Sequence, residues 1–190
     1  FYVNGVPIST VGNITAISSE PKTGKSAFVG AMIAATATRD PDADCLGVTS
    51  SNPNGFAVVH FDTEQSPVDH WNLISRSLNR AGLAEPPSWW VSYCLTGFTV
   101  AESAAAIKCV LKDAKAQFGG VHSVLIDGAA DLVNDVNDPE ESNGYVASHH
   151  ALAIEYACPF IEVIHLNPGT GKTRGHLGSQ LERKGETNLR

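Results

Sequence analysis

The stretch NITAISSEPKTGKSAFVGAMIAATAT, residues 13–38, decides how the rest of the chain is read. Its first six residues suit a short buried strand, and the alanine-rich run AFVGAMIAATAT suits a buried helix beginning at Ser26. Between them lies SEPKTGKS, residues 19–26. A second segment with the same kind of ending, LNPGTGKT at residues 166–173, follows the apolar run PFIEVIHL near the end of the chain. One ends in Gly-Lys-Ser and the other in Gly-Lys-Thr, and neither carries the first glycine of the pattern G-x-x-x-x-G-K-[ST].

That pattern holds phosphate only where it joins a strand to a helix, because loop N–H groups and the helix N-terminus must converge on one anion. The lysine then reaches the β and γ oxygens, and the hydroxyl ligates Mg2+. Residues 13–38 meet this requirement, so the expected nucleotide-binding residues are Ser19, Glu20, Pro21, Lys22, Thr23, Gly24, Lys25, Ser26 and Ala27. The second segment precedes RGHLGSQLERKGE, a polar stretch without a long apolar face. Eighteen residues follow Lys172, too few for a further strand, helix and acid. Downstream of Lys25, SVLID ends in Asp127, an acid suited to hold Mg2+ through water. LNPGTGKT is therefore read as a decoy. Serine in place of the first glycine is tolerable only if its φ is negative or strain is accepted.

Strand and helix patterns alternate along the whole chain. Residues 39–55 are rich in turn formers and read as a surface loop. FAVVHFD (56–62) reads as a buried parallel strand. PVDHWNLISRSLNRAG is helical, with Val68, Trp71, Ile74 and Leu78 on one face and Gly82 as its stop. WWVSYCL (89–95) is a strand. Residues 101–118 form a helix with Ala104, Ile107, Leu111, Ala114 and Phe118 on one side. VHSVLID (121–127) is a strand, a polar loop leads to a helix over 145–156, and 159–166 closes as a strand. The expected architecture is one α/β domain with a mostly parallel sheet flanked by helices and ligands at the carboxyl ends of the strands. A start at Phe1 without methionine makes the chain, residues 1–190, an expected fragment lacking its flanks.

Hydrolysis, as opposed to binding, needs an acid that orients or deprotonates the attacking water. VVHFD continues as TEQ, which puts Asp62 and Glu64 at the carboxyl end of what is read as the neighbouring strand. With strand–SEPKTGKS–helix, VVHFDTEQ, SVLID and VIHLN in this order, residues 13–180 resemble the RecA-type P-loop ATPase core shared by RecA, DnaB-like and RepA-like helicase ATPases. GNITAI, FDTEQ and RGHLGSQLERK are similar to RepA-like ATPases of bacterial mobile elements. The resemblance implies ATP and Mg2+ as ligands, Lys25 on the phosphates, Ser26 and Asp127 at the metal, Glu64 as catalytic base, and His165 or Asn167 as γ-phosphate sensor. It also implies self-association into a ring or filament.

Of 190 residues, 43% are hydrophobic and 17% charged, and no run is long and apolar enough to span a membrane. No signal peptide is visible, and a cytoplasmic location is expected. Cys45, Cys94, Cys109 and Cys158 are widely spaced and read as buried free thiols. The net charge of -7 argues against coating nucleic acid with the whole surface. From Lys172 to Arg190, however, five basic residues face two acidic ones. The resemblance gives this tail a DNA-contacting or inter-subunit role, with Lys172, Arg174, Arg183 and Lys184 as candidates and single-stranded DNA as partner. An ATP-dependent switch or assembly protein without DNA, favoured by the acidic body and by Ser19, is the alternative. A small-molecule kinase is a third reading, less suited to Glu64 at a strand end.

Overall fold

The structure is a computed structural model that describes residues 1–167 and 171–190. Its centre is a six-stranded sheet in which every neighbouring pair is parallel. In chain order the elements are β1 (Tyr2–Val3), β2 (Val6–Pro7), β3 (Ile14–Ser19), α1 (Lys25–Ala35), β4 (Val48–Thr49), β5 (Ala57–Asp62), α2 (Pro67–Ala81) and β6 (Trp90–Cys94). They continue with α3 (Val100–Phe118), β7 (Val121–Asp127), a short 3-10 turn (Ala129–Leu132), α4 (Pro139–Glu155), β8 (Phe160–His165), α5 (Gly175–Lys184) and β9 (Thr187–Leu189). Across the large sheet the order is β6-β5-β7-β8-β3-β9, and β2-β1-β4 form a small antiparallel sheet beside it.

Alternation along the strands divides the core in two, because successive side chains point to opposite faces. On β7, Val124 and Ile126 join Phe61, Phe160, Ile107, Leu111 and Tyr145 under α3, α4 and α5. Leu125 points the other way, with Val58, Ile161, Val29, Met32 and Ile33 under α1. Each such fully buried side chain contributes about 1.5–3 kcal/mol. The result is a helix–sheet–helix sandwich, and the parallel sheet flanked by helices expected from the sequence is what forms.

Several expectations need correction. The face of α2 that buries is Leu73, Ser77 and Ala81, whereas Val68 and Trp71 are 68% and 67% exposed. Ser77 and Leu73 approach α1 at Gly30, where a Cβ would meet Ser77 Oγ at 3.0 Å. On α3, Ser103 rather than Ala104 joins Ile107, Leu111 and Ala114 in the buried stripe. Helix α4 begins six residues before 145, because Asp138 caps the N–H groups of Glu140 and Glu141 (2.8 and 2.9 Å) and Pro139 supplies a ready-made first-turn φ. Residues 39–55 are not all loop, since Val48–Thr49 pairs with β1. The residues after Lys172 do form a helix and a short strand: Leu177 and Leu181 are fully buried, and β9 pairs with β3. Cys45 and Cys158 are buried as expected, but Cys94 is half-buried and Cys109 exposed.

No helix among the described residues is long and apolar enough to cross a membrane.

Candidate active site

The loop after β3 carries the predicted phosphate-binding residues into the N-terminus of α1. Its turn needs two left-handed residues, and these are Lys22 (φ 65°) and Gly24 (φ 99°). Ser19 is not one of them. It is the last residue of β3, in register with His165, and its hydroxyl lies 2.6 Å from Thr23 Oγ1. The question posed by the absent glycine thus has a simple answer: at position 19 the backbone is extended, and serine fits without strain. Glu20 O accepts from Thr23 Oγ1 (2.7 Å) and from Lys25 Nζ (2.9 Å), and Ser19 O accepts from Lys25 Nζ at 3.2 Å. Burial lowers the Lys25 ammonium's pKa below the usual lysine value, opposed by the Glu64 and Asp127 carboxylates.

Asp127, at the end of β7, is 2% exposed. Burial pushes its carboxyl up to about 6, with Asp62 and Glu64 adding to the rise and the Ser26 hydroxyl and Lys25 opposing it. Gln65 Nε2 reaches Ser26 Oγ at 3.2 Å and Asp127 Oδ2 at 3.5 Å. The hydroxyl and carboxylate predicted to hold Mg2+ are therefore adjacent, with an amide between them. Both are hard oxygen donors, the set that suits this ion.

Glu64 follows β5, which does not neighbour β3 as the sequence suggested: β7 and β8 lie between them. The parallel register nevertheless brings the strand ends together. Asp62 pairs with Asp127, Asp127 with Val163, and Ser19 with His165. The Thr63–Gln65 segment is tied to the end of β7, where Thr63 N donates to Asp127 O (3.0 Å) and Thr63 Oγ1 to Gly128 O (2.8 Å). Gly128, at φ 115°, leaves room for this; a Cβ there would sit 2.7 Å from Glu64 Cγ. Glu64 Oε2 then meets His165 Nε2 at 2.9 Å.

Of the two candidate sensors, His165 is the one in contact with Glu64. Asn167 Nδ2 donates to Thr173 O (3.3 Å), and its N–H donates to Lys172 O (2.8 Å). Residues 168–170 of the second glycine-lysine motif lie outside the described residues. Thr173 bridges back to Leu166, and α5 starts only at Gly175, after Arg174 as its N-cap. Arg174 lies close enough for its charge to act on Asp131, whose carboxyl pKa is raised by burial and Glu64 and lowered by Thr63 and Arg174. Arg183 and Lys184 are exposed in the last turn of α5, with Arg183 bonded to Gln180. A cleft of about 380 Å3 opens beside the loop, bordered by Val3, Phe28, Leu189 and Arg190, within the range of small-ligand sites.

Sequence reasoning missed Gln65, Thr63 and the histidine contacts around Asp62. Gln65 carried a usable signal, since it leaves the same strand end as Glu64; the histidine contacts arise from tertiary packing.

The chain matches no protein-family model, and no curated protein matches it.

Proposed function

We propose that the chain is a RecA-like P-loop ATPase core that hydrolyses Mg2+-bound ATP and couples this to single-stranded DNA, working as a ring or filament. The observation that carries the reading is the gathering of Lys25, Ser26, Asp127 and Glu64 at the carboxyl ends of β3, β7 and β5, with β8 inserted between the loop strand and the Asp127 strand. In this reading the 19–26 loop and the N-terminus of α1 bind the β and γ phosphates. Lys25 exchanges the carbonyls of Ser19 and Glu20 for phosphate oxygens. Ser26 and Asp127 hold Mg2+, which when bound neutralises charge on the β and γ oxygens. Glu64 orients the attacking water and takes its proton as the bond between the γ phosphorus and the bridging oxygen breaks and ADP leaves. The cleft at Phe28 and Arg190 suits the nucleoside.

DNA coupling is supported by the basic segment from Lys172 onward, whose Arg183 and Lys184 are solvent-facing. The test is phosphate release from ATP with and without Mg2+, each with and without single-stranded DNA. Mg2+-dependent release that rises with DNA is expected. ATP binding without release under any condition would favour the switch or assembly reading.

A further inference from the structure

Behind Glu64 lies a chain of hydrogen bonds that the ATPase reading does not use. Asp62 is fully buried, and its Oδ1 accepts the N–H groups of Glu64 (3.2 Å) and Gln65 (3.0 Å). Its Oδ2 faces His70 Nδ1 at 3.3 Å, from α2. His70 Nε2 lies 3.1 Å from Ser92 Oγ on β6, and Ser92 Oγ lies 2.9 Å from His60 Nδ1 on β5. The two imidazoles stack at 5.4 Å, almost parallel.

His70 Nδ1 faces a carboxylate and so carries a proton, and Ser92 Oγ bridges His70 Nε2 to His60 Nδ1. Burial pushes the His60 imidazole down to about 4, against the pull of Asp62, which keeps this ring neutral. Burial alone would raise the Asp62 carboxyl; the hydrogen bonds from His70 and from the Gln65 N–H hold it below its ordinary value. The buried charge of Asp62 thus depends on His70.

We propose that His70 is a positioning residue: through Asp62 it fixes the backbone of Glu64 and Gln65, and Ser92 and His60 fix the orientation of its ring. For its effect on turnover the proposal rests on the ATPase reading. Without His70, Asp62 is a buried carboxylate missing one partner; it takes up a proton or swings away, and either change weakens its hold on both N–H groups.

The test compares His70→Ala, His70→Asn and His70→Gln with wild type by backbone amide exchange at Glu64 and Gln65, ATP turnover and thermal midpoint. Asparagine can present an N–H near the position of Nδ1, whereas glutamine reaches only toward the position of Nε2. His70→Asn is expected to stay near wild type. His70→Gln and His70→Ala are expected to exchange both amides about tenfold faster and to lose kcat about tenfold or more with KM little changed. Equal behaviour of the Asn and Gln variants, or unchanged exchange in His70→Ala, would overturn the proposal. The Asn–Gln contrast decides it even if the alanine variant does not fold. If wild type itself releases no phosphate, the ATPase reading falls, while the amide exchange still decides the role of His70.

Discussion

His165 Nε2 lies 2.9 Å from Glu64 Oε2, a contact spanning 101 residues of sequence. A ring nitrogen facing a carboxylate carries the proton, so the imidazole donates and the glutamate is aimed by it. The contact joins the residue proposed to activate water to the end of the strand beside the phosphate loop.

His165→Ala is accordingly expected to lower kcat about tenfold to a hundredfold while ATP affinity changes little. His165→Gln, whose amide can donate in place of Nε2, is expected to recover most of the loss. Steady-state turnover paired with calorimetric ATP titration checks both. An alanine variant with wild-type kcat would remove His165 from the account.

Asp127 supplies a pH dependence whose sign is fixed. Burial pushes its carboxyl up to about 6 in the fold from its ordinary value of 3.8, so the folded state favours the protonated form. The stability this contributes to the ligand-free protein is complete below about 3.8 and is lost as pH rises through about 6, amounting to about 3 kcal/mol. Denaturation of wild type and Asp127→Asn across this window should show the wild type losing stability relative to the variant as pH rises. Metal binding runs the other way, because the ion needs the carboxylate: Mg2+-dependent nucleotide affinity should fall about tenfold per unit below pH 6. Parallel pH profiles for the two proteins would contradict this.

Restoring the consensus glycine should not help. Ser19 is extended and bonds Thr23, so Ser19→Gly relieves no strain and removes a hydrogen bond. The expected outcome is about 1 kcal/mol lower stability and ATP affinity equal to wild type or weaker. A gain in affinity would show that the side chain obstructs the phosphates.

The same residue illustrates what the sequence made legible. The strand–loop–helix unit around SEPKTGKS, the apolar runs of β5 and β7, and the acids at their ends are local patterns, and local patterns survive in a one-dimensional reading. The order of strands does not: local pattern puts Glu64 on a strand next to β3, whereas β7 and β8 lie between the two. Nor do contacts decided by close approach. Ser77 packs against Gly30 and is buried while Val68 and Trp71 are exposed, so of the face that hydrophobicity selected, Ile74 packs on the core but Val68 and Trp71 do not. Gln65 and His70 gain their contacts only after the β5–β7 register and the α2 position are set.

Arg183 and Lys184 give the DNA part of the reading a separate test. Both are exposed on the last turn of α5, so Arg183→Ala with Lys184→Ala should leave ATP binding intact and weaken single-stranded DNA binding alike for all sequences. The slope of log affinity against log salt should become shallower by about 0.7 for each lost phosphate contact. Filter binding over a salt series reads this directly; an unchanged slope would take these two residues out of the DNA surface.

The central claim is that Glu64 activates water at a phosphate held by the 19–26 loop. The measurement that tests it most directly is ATP hydrolysis by wild type and Glu64→Gln, with a single-stranded DNA titration and ATP binding measured on both. The account predicts that wild type turns over, that turnover rises with DNA, and that the variant binds ATP yet loses about a hundredfold or more in rate. A Glu64→Gln protein hydrolysing ATP at the wild-type rate would contradict it.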